Sequence, residues 1–348
     1  MWAPSSRVRG GGGRDVITLP APPAPPAINN PYEHIKGQFI GDGNKAFAKL
    51  NFLKATMVLS TTPGLDVYQW KRSKDVGYYV HMLHAASEVV TYRMFGIDYY
   101  DAVLLSGEYQ VQDMRALEKL RGLPEKEFVK IGIPYMDEMA RRLRDAGPTP
   151  PHKRTVLLAP SWGKSAILQK YGGKIIDELL ATGYHVIIRP HPQSFKSETE
   201  LMEKLMRDYP ESDRLEWNRD NDNFEVLRRS DIMISDFSGV IFDFALVYDK
   251  PVIYADTEFD KSPYDAWWLD KPLWTFTALP RIGEKLTPEN MSGLRGMIDA
   301  CLTDPRYEAG RQEVRAETWE HPGEGAVRAA NYLLAKYQEL KSQEEGKK

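Results

Sequence analysis

Arg189-Pro190-His191-Pro192 sets a guanidinium and an imidazole two residues apart in a backbone that cannot be helical. The two prolines fix φ and push the residues before them toward extended conformations, so His191 is presented on a stiff segment. Such an Arg offers forked donors to a phosphate, and a His at a strand end can donate or carry a proton near neutral pH. A second stretch, Ser235-Asp236-Phe237-Ser238-Gly239, gathers hydroxyls, a carboxylate and a glycine just after the short apolar run 231–234. Hydroxyls and free backbone N–H groups at a helix start make an anion site; the plain alternative is an ordinary turn with a capping serine. Asp236 reads as the scaffold of that turn, because a carboxylate aimed inward would repel a phosphate, and Asp243 reads as structural. His84, after the run 78–82, is the candidate base from the other half of the chain, while His81 inside the run reads as structural.

An anion turn needs a parallel strand before it and a helix after it. Residues 231–234, 240–248 and 252–254 read as strand, helix and strand, the first run being too short for a helix and bounded by polar residues. Further strands are expected at 56–60, 78–82, 101–105, 128–131, 155–159, 185–189 and 214–217. Helices are expected at 38–52, 108–121, 136–144, 165–181, 197–208, 223–229 and 287–302, and from about 305 with a break at His321-Pro322-Gly323. Residues 255–272 read as irregular and aromatic. This alternation argues a parallel sheet in each half.

The organisation expected is a disordered Gly/Pro-rich segment 1–31, a Rossmann-like acceptor-side domain 32–146, a Pro-rich linker 147–153, a second, nucleotide-binding Rossmann-like domain 154–341 and a solvated tail 342–348. The first segment is too poor in apolar surface to offset its ordering entropy, and the prolines of the linker cannot continue the helix before them. Ligands in such folds bind at the carboxyl ends of strands. That filter selects His81, His84, Ser87 and Ser106 in the first half. In the second it selects Ser161, Trp162, Arg189, His191, Ser235, Asp236 and Ser238.

Composition removes several classes. A formal net charge of −3 argues against bulk nucleic-acid binding, and the single cysteine, Cys301, makes neither an internal disulfide nor a Cys-rich zinc site. HExxH, Cys/His clusters, the phosphate-loop motif and the GxSxG elbow are all missing, so neither a metal nor a redox cofactor is expected. No window approaches the 18 or so consecutive apolar residues of a membrane span, and the N-terminus lacks the apolar core of a secretory signal. The expected location is cytoplasmic, with membrane contact only peripheral, at the inner face.

Four motifs in this order make the chain resemble the CDP-glycerol glycerophosphotransferase family, the enzymes that build poly(glycerol phosphate) and related teichoic-acid-type polymers. They are LLAPSWG at 157–163, IIRPHP at 187–192, LRRSDIMISDFSGVIFDFALVYDKPVIY at 227–254 and HPGEGAVR at 321–328. The resemblance spans about 56–330 and is strongest from 155 onward. It implies a GT-B-like α/β fold, two Rossmann-like domains facing each other across a cleft, with the nucleotide held mainly by the second. It implies transfer of glycerol phosphate from CDP-glycerol, or a related CDP-alcohol, to a hydroxyl of a saccharide or polyol-phosphate acceptor, polymeric or lipid-linked, with release of CMP. It gives His191 a functional role, sets Ser238 at the donor's phosphates and points to Arg328 near the C-terminal Gly-rich turn. Where the family carries Trp-His-Gly this chain has Met82-Leu83-His84-Ala85, and where it carries a second serine this chain has Gly239, which keeps the backbone donor and loses a hydroxyl.

The expected mechanism is attack of the acceptor hydroxyl on the glycerol-linked phosphorus, with His84 taking the proton. Arg189, His191, Ser238 and the helix start stabilise the diphosphate, and Ser161, Ser235, Asp236, Gly239 and Arg328 complete the donor-side set. A GT-B nucleotide-sugar glycosyltransferase, a 2-epimerase and a non-catalytic nucleotide-diphosphate-binding module are the alternatives the residues leave open.

Overall fold

A computed structural model of the protein describes residues 16–18, 34–41 and 43–346. Most of the segment 1–31 expected to be disordered lies outside the described residues. Strand β1 (Val16–Thr18) pairs in parallel with β2 (Ile35–Gly37) as a small separate sheet.

The first large sheet contains β3 (Lys54–Ser60), β4 (Asp75–Met82), β5 (Ala102–Leu105) and β6 (Glu127–Lys130), all parallel and neighbours in that order. Helix α1 (Gly43–Asn51) precedes it, shorter than the 38–52 expected, and α2 (Glu108–Arg121) and α3 (Pro134–Ala146) follow β5 and β6. Helix α2 spans the expected 108–121 and closes at Gly122 in the left-handed region, with φ 62°, whereas α3 runs longer than the expected 136–144 at both ends, opening on Pro134 in its first turn. All four residues of β5 are buried, the mark of a strand covered on both faces.

Residues 147–154 lead into the second sheet, and Arg228 ties them down through bonds to the carbonyls of Ala146, Gly147 and Pro148. That sheet holds β7 (Thr155–Leu158), β8 (His185–Ile188), β9 (Leu215–Trp217), β10 (Ile232–Ser235), β11 (Val252–Ala255) and β12 (Gly283–Leu286). All are parallel, in the order β9-β8-β7-β10-β11-β12. The chain winds outward from β7 to β9, then returns to β10 on the other side of β7. The carboxyl ends of β7 and β10 therefore flank the topological switch point, where α/β sheets open a crevice.

Helices α4 (Ile167–Tyr171) and α5 (Gly173–Ala181) replace the single helix expected at 165–181, because Gly172 turns the chain at φ 54°. They are followed by α6 (Ser194–Ser197), α7 (Thr199–Asp208) and α8 (Phe224–Arg228). After β10, the expected helix 240–248 is a short α9 (Val240–Phe242) continued as a π-helical turn, Asp243–Val247. Helix α10 (Trp274–Ile282) and strand β12 were not foreseen; Pro280 sits in the helix and disguises it. Helix α11 (Leu294–Thr303) starts later than the 287 expected, and α12 (Arg306–Thr318) and α13 (Gly325–Glu345) flank the expected break.

The C-terminal helix crosses back to the first sheet. Ala329 is buried with Val80, Met82, Ala102, Leu104 and Ile131, and Tyr332 and Lys336 bond Glu127. So α13, which begins within the segment 154–341 and runs on into the expected tail, packs on the β3–β6 sheet rather than on the β7–β12 sheet. Asp137 of α3 anchors the crossing: its carboxylate accepts bonds from Trp319 Nε1 (2.8 Å), Gly323 N (2.6 Å) and Gly325 N (2.9 Å). The crossing strand of chain presses on the carboxyl ends of β5 and β6. A Cβ on Gly107 would lie 2.3 Å from the carbonyl of Glu317, and one on Gly132 2.2 Å from that of Glu320. Those ends are plugged, and the open half of the first sheet lies over β3 and β4.

Candidate functional site

Asp236 organises the switch point. One carboxylate oxygen accepts the N–H groups of Ser161 (2.9 Å) and Ser238 (3.1 Å), and the other accepts that of Ile167 (3.0 Å). The loop after β7 and the turn after β10 are thus stitched together by one buried carboxyl. Burial pushes its pKa up, against the pull of the three N–H bonds. These bonds turn both carboxylate oxygens of Asp236 to the backbone of the two loops, in keeping with a scaffold role.

The hydroxyls divide into two kinds. Ser235 is fully buried and donates to the carbonyl of Ala159 at 2.6 Å, so its hydroxyl closes the sheet between β10 and β7. The hydroxyl expected at the donor is thus engaged within the sheet in this structure. Ser161 Oγ is buried without a hydrogen-bond partner. Ser238 is half-buried, and its hydroxyl is left over when its N–H is taken by Asp236. Glu198 fixes the far side of the Ser161 loop by accepting the N–H of Gly163 at 3.1 Å.

His191 sits beside this loop, its ring 6.3 Å from that of Trp162. Its Nδ1 lies 3.1 Å from the N–H of Gln193 and accepts it. A nitrogen that accepts cannot carry the proton, so the neutral ring carries its hydrogen on Nε2. Burial lowers its pKa, with the charge of Glu198 opposing, which favours this neutral form. His191 is thereby set up as a hydrogen-bond donor. Arg189 is placed differently from the expectation. Its guanidinium turns toward the β9 edge, where it bonds Asn218 and, at 2.8 Å, the carbonyl of Asp220. It braces the loop after β9 instead of reaching into the switch point.

Arg328 lies on α13, where it pairs with Glu324 of its own helix at 2.8 Å, both groups largely exposed. The structure does not bring it to the Asp236 turn.

From the first sheet, the loop after β4 faces the turn. A Cβ built on Gly239 would lie 3.5 Å from Ala85 Cβ and 3.7 Å from Ser87 Oγ. His84 immediately precedes Ala85 and is exposed, and neither ring nitrogen has a partner among the described residues. Crowding by the surrounding protein lowers its pKa from the ordinary value, so the free base persists below neutral pH. His81 is fully buried in β4, edge-on to Tyr92, and burial drops its pKa to about 3. It packs in the core, as its place inside the strand predicted.

Between these loops lies a cavity of about 380 Å³. Ser161, Trp162 and Phe237 line it from the second sheet, and Gly64, Ser87 and Arg93 from the loops after β3 and β4. Phe259 and Tyr264 close it from the segment between β11 and α10, and Thr275 and Phe276 from the first turn of α10. Several residues that shape this site were missed because no strand ends at them. Glu88 is buried and accepts the N–H of Thr275 (2.6 Å) and its hydroxyl, capping α10 from the other sheet. Arg121 bonds Asp98 (2.8 Å) and Asp265 (2.5 Å), all three side chains buried. An acidic residue beside a chemistry-bearing loop was the one available signal, and it pointed to Glu88 only.

Among the described residues, no group of three or more His, Cys, Asp or Glu side chains is arranged to hold a metal, and no helix is long and apolar enough to cross a membrane.

Two parallel Rossmann-like sheets with a cleft between their carboxyl ends define a GT-B-like α/β protein. The chain belongs to the CDP-glycerol:poly(glycerophosphate) glycerophosphotransferase family, whose model matches residues 91–266, half of its length. It is similar to the teichoic acid glycerol-phosphate primase of Bacillus spizizenii, with 25% identity over 169 residues, 44% of this chain and 40% of that protein. The chain thus matches well under half of that relative's length. Among solved structures it is similar to the wall teichoic acid polymerase TagF, with a TM-score of 0.53 and 16% identity over 89% of this chain and 78% of that one. A structure assigned as a UDP-N-acetylglucosamine 2-epimerase of Listeria monocytogenes is also similar, with a TM-score of 0.51 and 13% identity over 88% and 84% of the two chains. At these identities the structural likenesses establish the fold.

Proposed function

We propose that the protein transfers glycerol phosphate from CDP-glycerol to the hydroxyl of a saccharide or polyol-phosphate acceptor and releases CMP. The observation that carries this reading is the Asp236 clamp. It holds the Ser161 loop and the Ser238 turn together at the switch point and leaves both hydroxyls unspent, opposite the β4 loop, which carries His84. Membership of the glycerophosphotransferase family supplies the donor class, and a TagF structure soaked with CDPG belongs to the same fold.

In this mechanism the diphosphate lies against the Ser161 and Ser238 hydroxyls and the Nε2–H of His191. The acceptor oxygen bonds to the glycerol-linked phosphorus, the bond from that phosphorus to the CMP oxygen breaks, and His84 takes the acceptor's proton. His191 needs no change of protonation to act: it donates to charge that grows on the leaving phosphate. The two histidines therefore have different tasks, one fixed as a donor and one left free as a base.

The test is to incubate the purified protein with CDP-glycerol, with and without a glycerol-phosphate-ended acceptor, and to follow CMP. Acceptor-dependent CMP release is expected from CDP-glycerol. Turnover of a UDP- or CMP-sugar in its place would replace this reading with a glycosyltransferase, and tight donor binding with no turnover of any donor would make the protein a binding module.

A further inference from the structure

We propose that the cavity of about 380 Å³ is the acceptor subsite and that it takes a sugar phosphate, the sugar ring against its aromatic walls and the phosphate at Arg93. This rests on the reading that the donor's diphosphate occupies the Asp236 turn. The cavity opens over β3 and β4, the half of the first sheet that the C-terminal crossing leaves uncovered. Its floor includes Ser161, whose buried hydroxyl has no partner, so a ligand here reaches the edge of the donor turn.

The walls are chemically one-sided. Phe259 stacks on Tyr264 at 5.1 Å with the rings 20° from parallel, and it meets Phe237 edge-on at 4.8 Å. Flat apolar faces of this kind bind the C–H face of a sugar ring, while a few polar groups fix its orientation. Arg93 is an exposed cation at the rim and forms no ion pair among the described residues. An unpaired guanidinium beside apolar walls fits a ligand with one anionic group.

The site is also preformed. The wall segment belongs to the chain after β11, yet it is fastened to the first sheet's loops. Arg93 and Tyr264 form an antiparallel bridge, Met94 N bonds Pro263 O at 3.3 Å, and Asp265 N bonds Tyr92 O at 3.0 Å. The buried Arg121 between Asp98 and Asp265 fixes the same join. Phe259 and Tyr264 thus stand in place before a ligand arrives, which lowers the ordering cost of binding.

The experiment is ligand-observed NMR on the full chain, with N-acetylglucosamine 1-phosphate, free N-acetylglucosamine and CDP as probes. The sugar phosphate should bind with CDP already saturating. Arg93→Ala should weaken the sugar phosphate about tenfold or more and leave free sugar and CDP unchanged. Phe259→Ala should weaken both sugars and leave CDP unchanged. Displacement of the sugar phosphate by CDP, or indifference to Arg93→Ala, overturns the assignment. If CDP binds and no sugar phosphate does, the acceptor subsite falls and the donor reading stands. If the sugar phosphate binds and CDP does not, the donor reading falls and the cavity keeps its ligand class.

Discussion

His191 and His84 both follow strands and both bear on the crevice, but they are prepared differently. His191 is held by two prolines, has Nδ1 occupied by the N–H of Gln193, and keeps Nε2 as a donor. His84 has neither nitrogen occupied among the described residues and stands exposed on the loop that faces Gly239. The difference follows from their sheets. The second sheet finishes its loops with internal hydrogen bonds, through Asp236, Glu198 and Ser235. The first also fastens its β4 loop, through Ala86, Ser87 and Glu88, to Tyr109, Gln110 and Thr275, and leaves only the His84 ring without a partner among the described residues. On the proposed mechanism, a donor site built in advance and an acceptor-side base set by its substrate would shield the donor from water until the acceptor arrives.

The strongest way to break this contrast is to unstitch the prepared side. Asp236→Ala strands three backbone N–H groups at the switch point, each costing about 1–3 kcal/mol if it stays unpaired. Denaturant unfolding should show a loss of several kcal/mol, and CMP release should vanish. Retained stability and activity would mean that the two loops hold themselves.

The histidines test the contrast directly. His84→Ala should lower transfer by about 10²–10⁴-fold with little change in melting temperature, since the ring makes no bond to lose. It should also erase the acid limb of the pH–rate profile, which lies below the ordinary histidine pKa because crowding lowers that of His84. His191→Ala should cost about 10²–10³-fold and keep that limb. His191→Gln should recover part of the loss, because a neutral amide can donate; His84→Gln should not. An acid limb that followed His191 instead would reverse the two roles.

A third handle lies in the π-helical turn behind the anion site. Asp243 is buried with Oδ1 unpartnered, and burial raises its pKa to about 7. A carboxyl whose folded pKa is raised contributes stability that is complete below its unfolded pKa, near 4, and is lost as pH rises through about 7. Between pH 5 and 8 the protein should therefore lose about 2–3 kcal/mol from this group, and Asp243→Asn should flatten that slope. Unfolding curves at the two pH values check it. A wild-type stability that holds level would mean that this carboxyl finds a partner in solution.

Much of this was legible in the sequence because the second sheet repeats simple signals. Short apolar runs ending in Ser, Arg or Asp marked the strand ends, and Gly122 marked the end of α2. What escaped depends on tertiary partners. Nothing local says that Ser235 spends its hydroxyl on Ala159, or that Arg189 turns to Asn218; both were settled by which strand lies alongside. Helix α10 was hidden by Pro280, and β12 by a sequence, Gly283–Leu286, with no run of apolar residues. Glu88 and Arg121 act across 187 and 144 residues of sequence, on Thr275 and Asp265, which no periodicity reveals.

The smallest test asks how closely the prepared and unprepared sides approach. Gly239 has φ −57°, an ordinary helical value, so glycine is not required there by backbone strain. A Cβ at that position would meet Ala85 Cβ and Ser87 Oγ at 3.5 and 3.7 Å, ordinary contact distances. Gly239→Ser should therefore stabilise the fold by about 0.4–1 kcal/mol through the lost freedom of the unfolded chain. The new hydroxyl would also join that of Ser238 at the turn, so the KM for CDP-glycerol should fall by a few-fold with kcat little changed. Destabilisation, read as a drop in melting temperature, would mean that the loops already touch and that the cleft is closed by the protein itself. Stabilisation without any effect on KM would put the phosphates nearer Ser161 and His191 than Ser238.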